Sequence, residues 1–348
     1  MSLGLGYLPG LFADTHELEE LIRLCYIYDQ LVTVHMRDEG DRVFEALDEM
    51  IDLARRTHAH IHIAHLKLGA KSVWGRAEAL YEKLLRAREE GLELTADVYP
   101  YPACSTGLSS RLPDWALDGG TDHACRLLAA RGREHDEILE LFREKYPARE
   151  DGDRFYIIGT GGVCPEVDGK TVGQLSEEWG LPVPETMIET LLRTRCQEDC
   201  IIFNMDEGDV EWLLRQPGIA IGSDASCRPF DPAMSDGKPH PRTYGTFPRF
   251  LRLCREKGLC SLEQAVHRIT QLPAENVGLK DRGVLKPGMV ADVTVFDWAQ
   301  IRETATYDDP FQKPVGVEHV IMNGKLALKN GRQTELRLGD YLRKPFVG

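Results

Sequence analysis

An α/β fold, built on a parallel sheet of the (β/α)8-barrel type with a small β-module at the carboxyl end, is predicted for this 348-residue chain. Three observations carry the prediction. Short apolar runs alternate with helical patterns at about one strand–helix–strand unit, roughly 30 residues, as parallel strands joined by helical crossovers require. Several runs end in a polar residue: Leu31-Val32-Thr33-Val34-His35, Ile61-His62-Ile63-Ala64-His65 and Ile219-Ala220-Ile221-Gly222-Ser223-Asp224. Such residues gather over the carboxyl mouth, where barrel enzymes keep their chemistry. Beyond Gly283 the pattern turns to strands and hairpins alone.

The elements follow in order. Leu3-Gly4-Leu5-Gly6-Tyr7 reads as a short strand. Asp14, with Glu17 three residues on, has the spacing of a helix N-cap and capping box. That helix runs through Leu21, Ile22 and Cys25 to the strand ending at His35. Val43, Leu47, Met50, Ile51 and Ala54 recur at helical spacing and should cover one face of the sheet. A helix from about Arg76 to Glu90 then leads to a third strand, Leu92 to Tyr99. The stretch from Cys104 to about Phe203 is too long for one crossover. With helix-like segments at Ile138–Lys145 and Val183–Thr194, it is expected to be an insertion at the carboxyl face, where lids and specificity loops sit. The series resumes with a helix around Val210–Arg215 and the strand ending at Asp224. Ala291 to Phe296 reads as a strand, and Val317 to Leu328 as a hairpin whose Asn323-Gly324 suits a type I′ turn. The predicted units are a partial barrel over 1–282, with the insertion at about 104–203, and a β-sandwich-like module over 283–348.

A net charge of −14 argues against nucleic acid or an anionic membrane as partner. An anionic substrate would therefore need a locally placed cation. No apolar run approaches the roughly 18 residues of a membrane span, and no signal peptide is recognisable. The nine cysteines form no CxxC pair, so reduced thiols and a cytoplasmic location are expected. Cys196 and Cys200 have the spacing of one helix face, a weak zinc signal.

The histidines sort by strand parity. Ile61, Ile63 and His65 should share a face, leaving His60 and His62 turned towards the covering helices, with His58 at the surface. His35 and His65 then converge over one mouth as candidate metal ligands, with the bland alternative that each is a satisfied strand-end residue. Asp224 is the candidate general base towards water and acid towards the leaving amine. Arg242, just downstream, has the geometry to hold a substrate carboxylate, although a surface arginine fits its position equally. Tyr99 could polarise a carbonyl, with Ser105 in the next loop.

Several ordered segments resemble signature segments of the N-acyl-D-amino-acid deacylases (D-aminoacylases) of the amidohydrolase superfamily. They are His35-Met36-Arg37-Asp38-Glu39-Gly40, Ala64-His65-Leu66-Lys67, Asp97-Val98-Tyr99-Pro100-Tyr101, Phe203-Asn204-Met205-Asp206-Glu207, Gly222-Ser223-Asp224 and His240-Pro241-Arg242. The tail from Asp281 to Gly324 is similar to that family's closing β-module. The resemblance implies one or two zinc ions on His35 and His65, and Asp224 as catalytic acid/base. It implies substrate contacts from Arg242, Tyr99, Ser105 and Tyr7, and Met205 lining the side-chain pocket. The implied reaction converts an N-acyl-D-amino acid and water to a carboxylate and a D-amino acid. The alternatives are a cyclic-amide hydrolase, hydantoinase- or dihydroorotase-like, and a catalytically deficient binding or assembly subunit. The family's barrel opens with a His-x-His metal motif, and no such motif stands in the corresponding place here. The expectation is therefore an incomplete barrel and zinc site, weak metal binding and low activity in this chain alone, with self-association or a complementing chain.

Overall fold

The structure, a computed structural model, describes residues 1–235 and 237–342. Its centre is a five-stranded, wholly parallel sheet whose neighbouring strands are, in order, Ser2–Gly4, Val32–His35, Ile61–Ile63, Leu94–Val98 and Ala220–Ile221. β1 (Ser2–Gly4), α1 (Thr15–Ile27), β2 (Val32–His35), α2 (Val43–Thr57), β3 (Ile61–Ile63), α3 (Ala77–Glu89) and β4 (Leu94–Val98) alternate as the apolar periodicity predicts. Asp14 caps α1, its carboxylate accepting from Glu17 N at 2.8 Å. The helices bury one stripe each: Leu18, Ile22 and Cys25 in α1, and Val43, Leu47, Met50 and Ala54 among others in α2. These stripes pack on Val34, Ile63 and Ala96, which stand in one cross-strand row of the sheet.

Between β4 and the fifth strand of this sheet the chain runs through a long segment with strands and helices of its own. It contains β5 (Cys104–Thr106), α4 (Asp114–Leu117), α5 (Thr121–Ala130), α6 (Arg133–Lys145), α7 (Arg149–Gly152), β6 (Phe155–Gly159), α8 (Val172–Trp179), α9 (Val183–Thr194) and β7 (Asp199–Ile202). The three strands pair antiparallel in the order β5-β7-β6. A separate apolar cluster, including Leu128, Phe142, Phe155, Leu175, Met187 and Leu191, holds the insertion together.

α10 (Glu207–Leu214) returns the chain to β8 (Ala220–Ile221), and α11 (Arg242–Lys257), α12 (Leu262–Ile269) and α13 (Gln271–Asn276) follow. β9 (Val293–Phe296), β10 (Val317–Met322), β11 (Lys325–Lys329) and β12 (Arg332–Gln333) form a separate antiparallel sheet. Asn323 and Gly324 join β10 to β11 with φ of 48° and 77°, the two left-handed positions of a type I′ turn. None of the residues in β9–β12 is buried. The last six residues of the expected 283–348 unit lie outside the described residues. No helix described is long and apolar enough to cross a membrane.

Two expectations are corrected. Cys196 and Cys200 do not share a helix face, because Cys196 lies past the end of α9 with φ of 54° and Cys200 lies in β7. Cys196 instead meets Cys125, Sγ to Sγ at 3.2 Å; all nine thiols are free. His60 and His62 do not face the covering helices. The register pairs His62 with Thr33 and Thr95, the face opposite the Val34–Ile63–Ala96 row. Parity counted back from His65 fails because the strand stops at Ile63 and His65 has φ of 42°, which swings its side chain to the other side.

Candidate metal centre

The chain leaves β2 at His35 and β3 just before His65, and the two rings meet edge-on with centroids 4.8 Å apart. His35 Nδ1 lies 3.2 Å from His65 Nε2. Two nitrogens bound at about 2.0–2.1 Å to one tetrahedral zinc would stand about 3.3–3.4 Å apart, so this pair already spans one edge of a metal site. The donors fit the ion in chemistry as well as in spacing. Burial, reinforced by Lys67 and His65 against the opposing pull of Glu39, takes the His35 imidazole down to about 4. It is thus neutral and free to ligate at physiological pH.

Glu39 completes a group of three whose ligand-type atoms all lie within 4.8 Å of one another. It sits behind the pair rather than beside it. Its Oε1 lies 2.9 Å from His65 Nδ1 and its Oε2 3.7 Å from His35 Nε2, the nitrogens turned away from the shared edge. A carboxylate at the second nitrogen orients a metal-binding histidine; Glu39 is within that reach of His65 but, at 3.7 Å, not of His35. Burial favours the protonated acid, but the Lys67 ammonium 2.7 Å away and the His65 ring outweigh it and hold Glu39 well below the usual carboxylate range. Lys67 Nζ also lies 2.7 Å from His65 Nδ1. Gly6 permits the approach of the first strand's loop, since a Cβ there would fall 2.8 Å from His35 Nε2.

A cavity of about 1050 Å³ opens over this group. Tyr7, His35, His65, Ser105, Asp224 and Arg242 all line it. The Tyr7 ring, itself 41% exposed, packs 4.5 Å from the His35 ring. Ser105 sits on β5. Asp224 follows β8 with φ of 46°. Its Oδ2 accepts from Arg242 Nη2 at 2.9 Å, and it is not among the three residues of the His35–Glu39–His65 group. Arg242, first residue of α11, is buried with Nη1 unpartnered, and its guanidinium stacks 4.6 Å over Tyr99. The Tyr99 hydroxyl is also buried without a partner, and burial pushes it well above the usual phenol range. Tyr99 itself does not line the cavity and packs with Leu66, Val98 and Met205. Met205 is not brought to the cavity. It is 7% exposed and packs with Leu66, Val98 and Leu213 beneath it, because the segment after β7 dives into the core.

Sequence reasoning missed Glu39, Lys67 and Asp97. Glu39 stands four residues after His35 and Lys67 two after His65, both in turns where no periodicity speaks for a side chain. Asp97 Oδ1 accepts the His65 amide at 2.7 Å and its Oδ2 lies 2.9 Å from His62 Nε2. Burial pushes the Asp97 carboxyl up, but the bonds from His62 and the His65 amide outweigh it and hold it below the usual range.

A family model described as the amidohydrolase family matches residues 28–327. The chain is 33% identical over 324 residues to the N-acyl-D-glutamate deacylase of Alcaligenes xylosoxydans xylosoxydans, covering 93% of this chain and 56% of that protein. It is 30% identical over 325 residues to the D-aminoacylase of the same organism, covering 93% and 57%. The crystal structure of N-acyl-D-glutamate deacylase from Bordetella bronchiseptica, complexed with zinc and a phosphonate inhibitor, superposes with a TM-score of 0.75. That alignment has 33% identity and covers 95% of this chain and 61% of the other. The chain thus spans less than three fifths of the length of these two curated relatives.

Proposed function

Since the chain belongs to the amidohydrolase family, we propose that it serves zinc-dependent hydrolysis of the amide bond of N-acyl-D-amino acids. The observation that carries this reading is the His35–His65 nitrogen pair, 3.2 Å apart, on the wall of a cavity that Asp224 and Arg242 also line. His35 and His65 would hold the metal, with Glu39 orienting the His65 ring. When bound, the metal would polarise the scissile carbonyl and make a water acidic. The remaining chemistry belongs to the chain. Asp224 accepts a proton from water and returns it to the departing amine. Its ion pair with Arg242 orients the carboxylate for these acts. Arg242, held against the Tyr99 ring, binds the substrate carboxylate, with Ser105 and Tyr7 closing on the amide.

The far wall of the cavity suggests the side-chain class. Arg111 lines it and, among the described residues, forms no ion pair; its guanidinium reaches Ser110 Oγ at 3.2 Å. An unpaired cation in an acidic protein is suited to a second carboxylate, so acidic side chains are the preferred substrates in this reading. The free thiols accord with the cytoplasm as location. We further propose the division at about residue 283, and pairing of the outer strands β1 and β8, each with one neighbour, with a second copy or a complementing chain.

The test measures release of free amine from N-acetyl-D-glutamate, N-acetyl-D-leucine and N-acetyl-L-glutamate, with zinc content determined on the same sample. The expected result is zinc-dependent turnover of the D-glutamate derivative, lost in His65→Ala and shifted away from acidic substrates in Arg111→Met. A zinc-loaded chain that releases no amine from any D-derivative would overturn the activity.

A further inference from the structure

The face of the sheet towards the cavity carries a polar chain of its own. His60 Nε2 and His62 Nδ1 both lie 2.8 Å from Thr95 Oγ1. His62 Nε2 lies 2.9 Å from Asp97 Oδ2, and Asp97 Oδ1 accepts the His65 backbone amide at 2.7 Å. An ionised carboxylate can only accept. The proton of His62 is therefore on Nε2, its Nδ1 accepts from the Thr95 hydroxyl, and that hydroxyl accepts from His60. Every link has one direction, and all of it is set by Asp97.

Two features show what this chain holds in place. His65 has φ of 42°, a left-handed conformation that is unfavourable for a non-glycine residue. The Asp97 bond to its amide stabilises that turn, and the turn brings the ring to His35. Gly222, which opens the approach to Asp224, packs directly on the same carboxylate: a Cβ there would lie 2.8 Å from Asp97 Cγ and 2.9 Å from Oδ1. Gly222 N also bonds Val98 O at 3.1 Å. One carboxylate thus braces both strand tips that carry the site.

We infer that Asp97, locked by the His60–Thr95–His62 chain, is a positioning residue: it fixes the His65 turn and the seat of Gly222, and so sets the metal-binding edge. The inference rests on the metal reading above.

Asp97→Asn keeps an acceptor for the His65 amide but presents an N–H to His62, whose proton must move to Nδ1. Asp97→Ala removes both bonds, and Gly222→Ala displaces the carboxylate while leaving every bonded group in place. The measurements are zinc affinity by competition with a chelating dye, ¹⁵N shifts of His62, and His65 amide exchange in metal-free protein, with urea unfolding as the control of fold. The expected loss of zinc affinity is about 10–100-fold for Asp97→Ala and lies within about threefold for Asp97→Asn, whose His62 tautomer switches. Equal zinc affinity and equal amide protection in the parent and Asp97→Ala would overturn the inference. If Asp97→Ala does not fold, unchanged zinc affinity in Gly222→Ala overturns it. If the unsubstituted chain binds no zinc, the metal reading itself falls, and His65 amide protection alone decides the positioning role.

Discussion

Lys67 shows at a single residue how the site is held. Its ammonium is 4% exposed, 2.7 Å from Glu39 Oε1 and 2.7 Å from His65 Nδ1. A buried cation is tolerable only while its carboxylate is present. Removing one partner of such a pair costs more than removing both, because the remaining charge is left unsolvated. Glu39→Ala is therefore expected to destabilise the metal-free protein by about 3–5 kcal/mol, and Glu39→Ala with Lys67→Met to recover most of that loss. Urea unfolding of the parent, both single variants and the double variant checks it. Additive losses would show that the two groups act independently.

At the scale of elements, α3 has no side-chain cap of its own. The carboxylate of Asp209, on α10, supplies one from far along the chain, accepting from Gly75 N at 2.7 Å and Ala77 N at 3.1 Å. Asp209→Ala should cost about 1–2 kcal/mol and Asp209→Asn less, since an amide oxygen still accepts. Thermal unfolding of both variants tests the order; equal losses would point to packing instead. The same cap shows what the sequence could reveal. The α1–α3 stripes, the Asp14 cap and the Asn323-Gly324 turn were legible because local spacing determines them. The convergence of His35 and His65 was legible because strand ends in a parallel sheet share a rim. Glu39, Lys67 and Asp209 were not, since each meets its partner through tertiary geometry across turns that carry no period. His62 was misassigned because one left-handed residue, His65, broke the alternation from which its face was counted.

For the whole molecule, the insertion core and the sheet core are separate apolar clusters, and the cavity draws walls from both, with His35 and His65 on one side and Leu141, Tyr146 and Phe155 on the other. The segment after β9 is tied back to α11 by charge. Glu303, its side chain 10% exposed, accepts from Arg249 Nη1 at 3.0 Å and from Arg252 Nε at 2.8 Å. Burial raises the Glu303 pKa, but the Arg252 bonds and Arg249 outweigh it, so the folded value lies below the ordinary 4.5. A carboxylate depressed in this way contributes stability that is fully present above its unfolded value and lost as pH falls through the folded one. Glu303→Gln should then be less stable than the parent by about 2 kcal/mol at about pH 7, a typical cost for losing charged hydrogen bonds. The gap should narrow as pH falls below the ordinary carboxylate value of 4.5 and close once the folded carboxylate is itself protonated. Urea midpoints of both proteins across that range measure it. A gap that stays constant with pH would mean that the clamp holds by shape and not by charge, and the tail would then remain docked in acid.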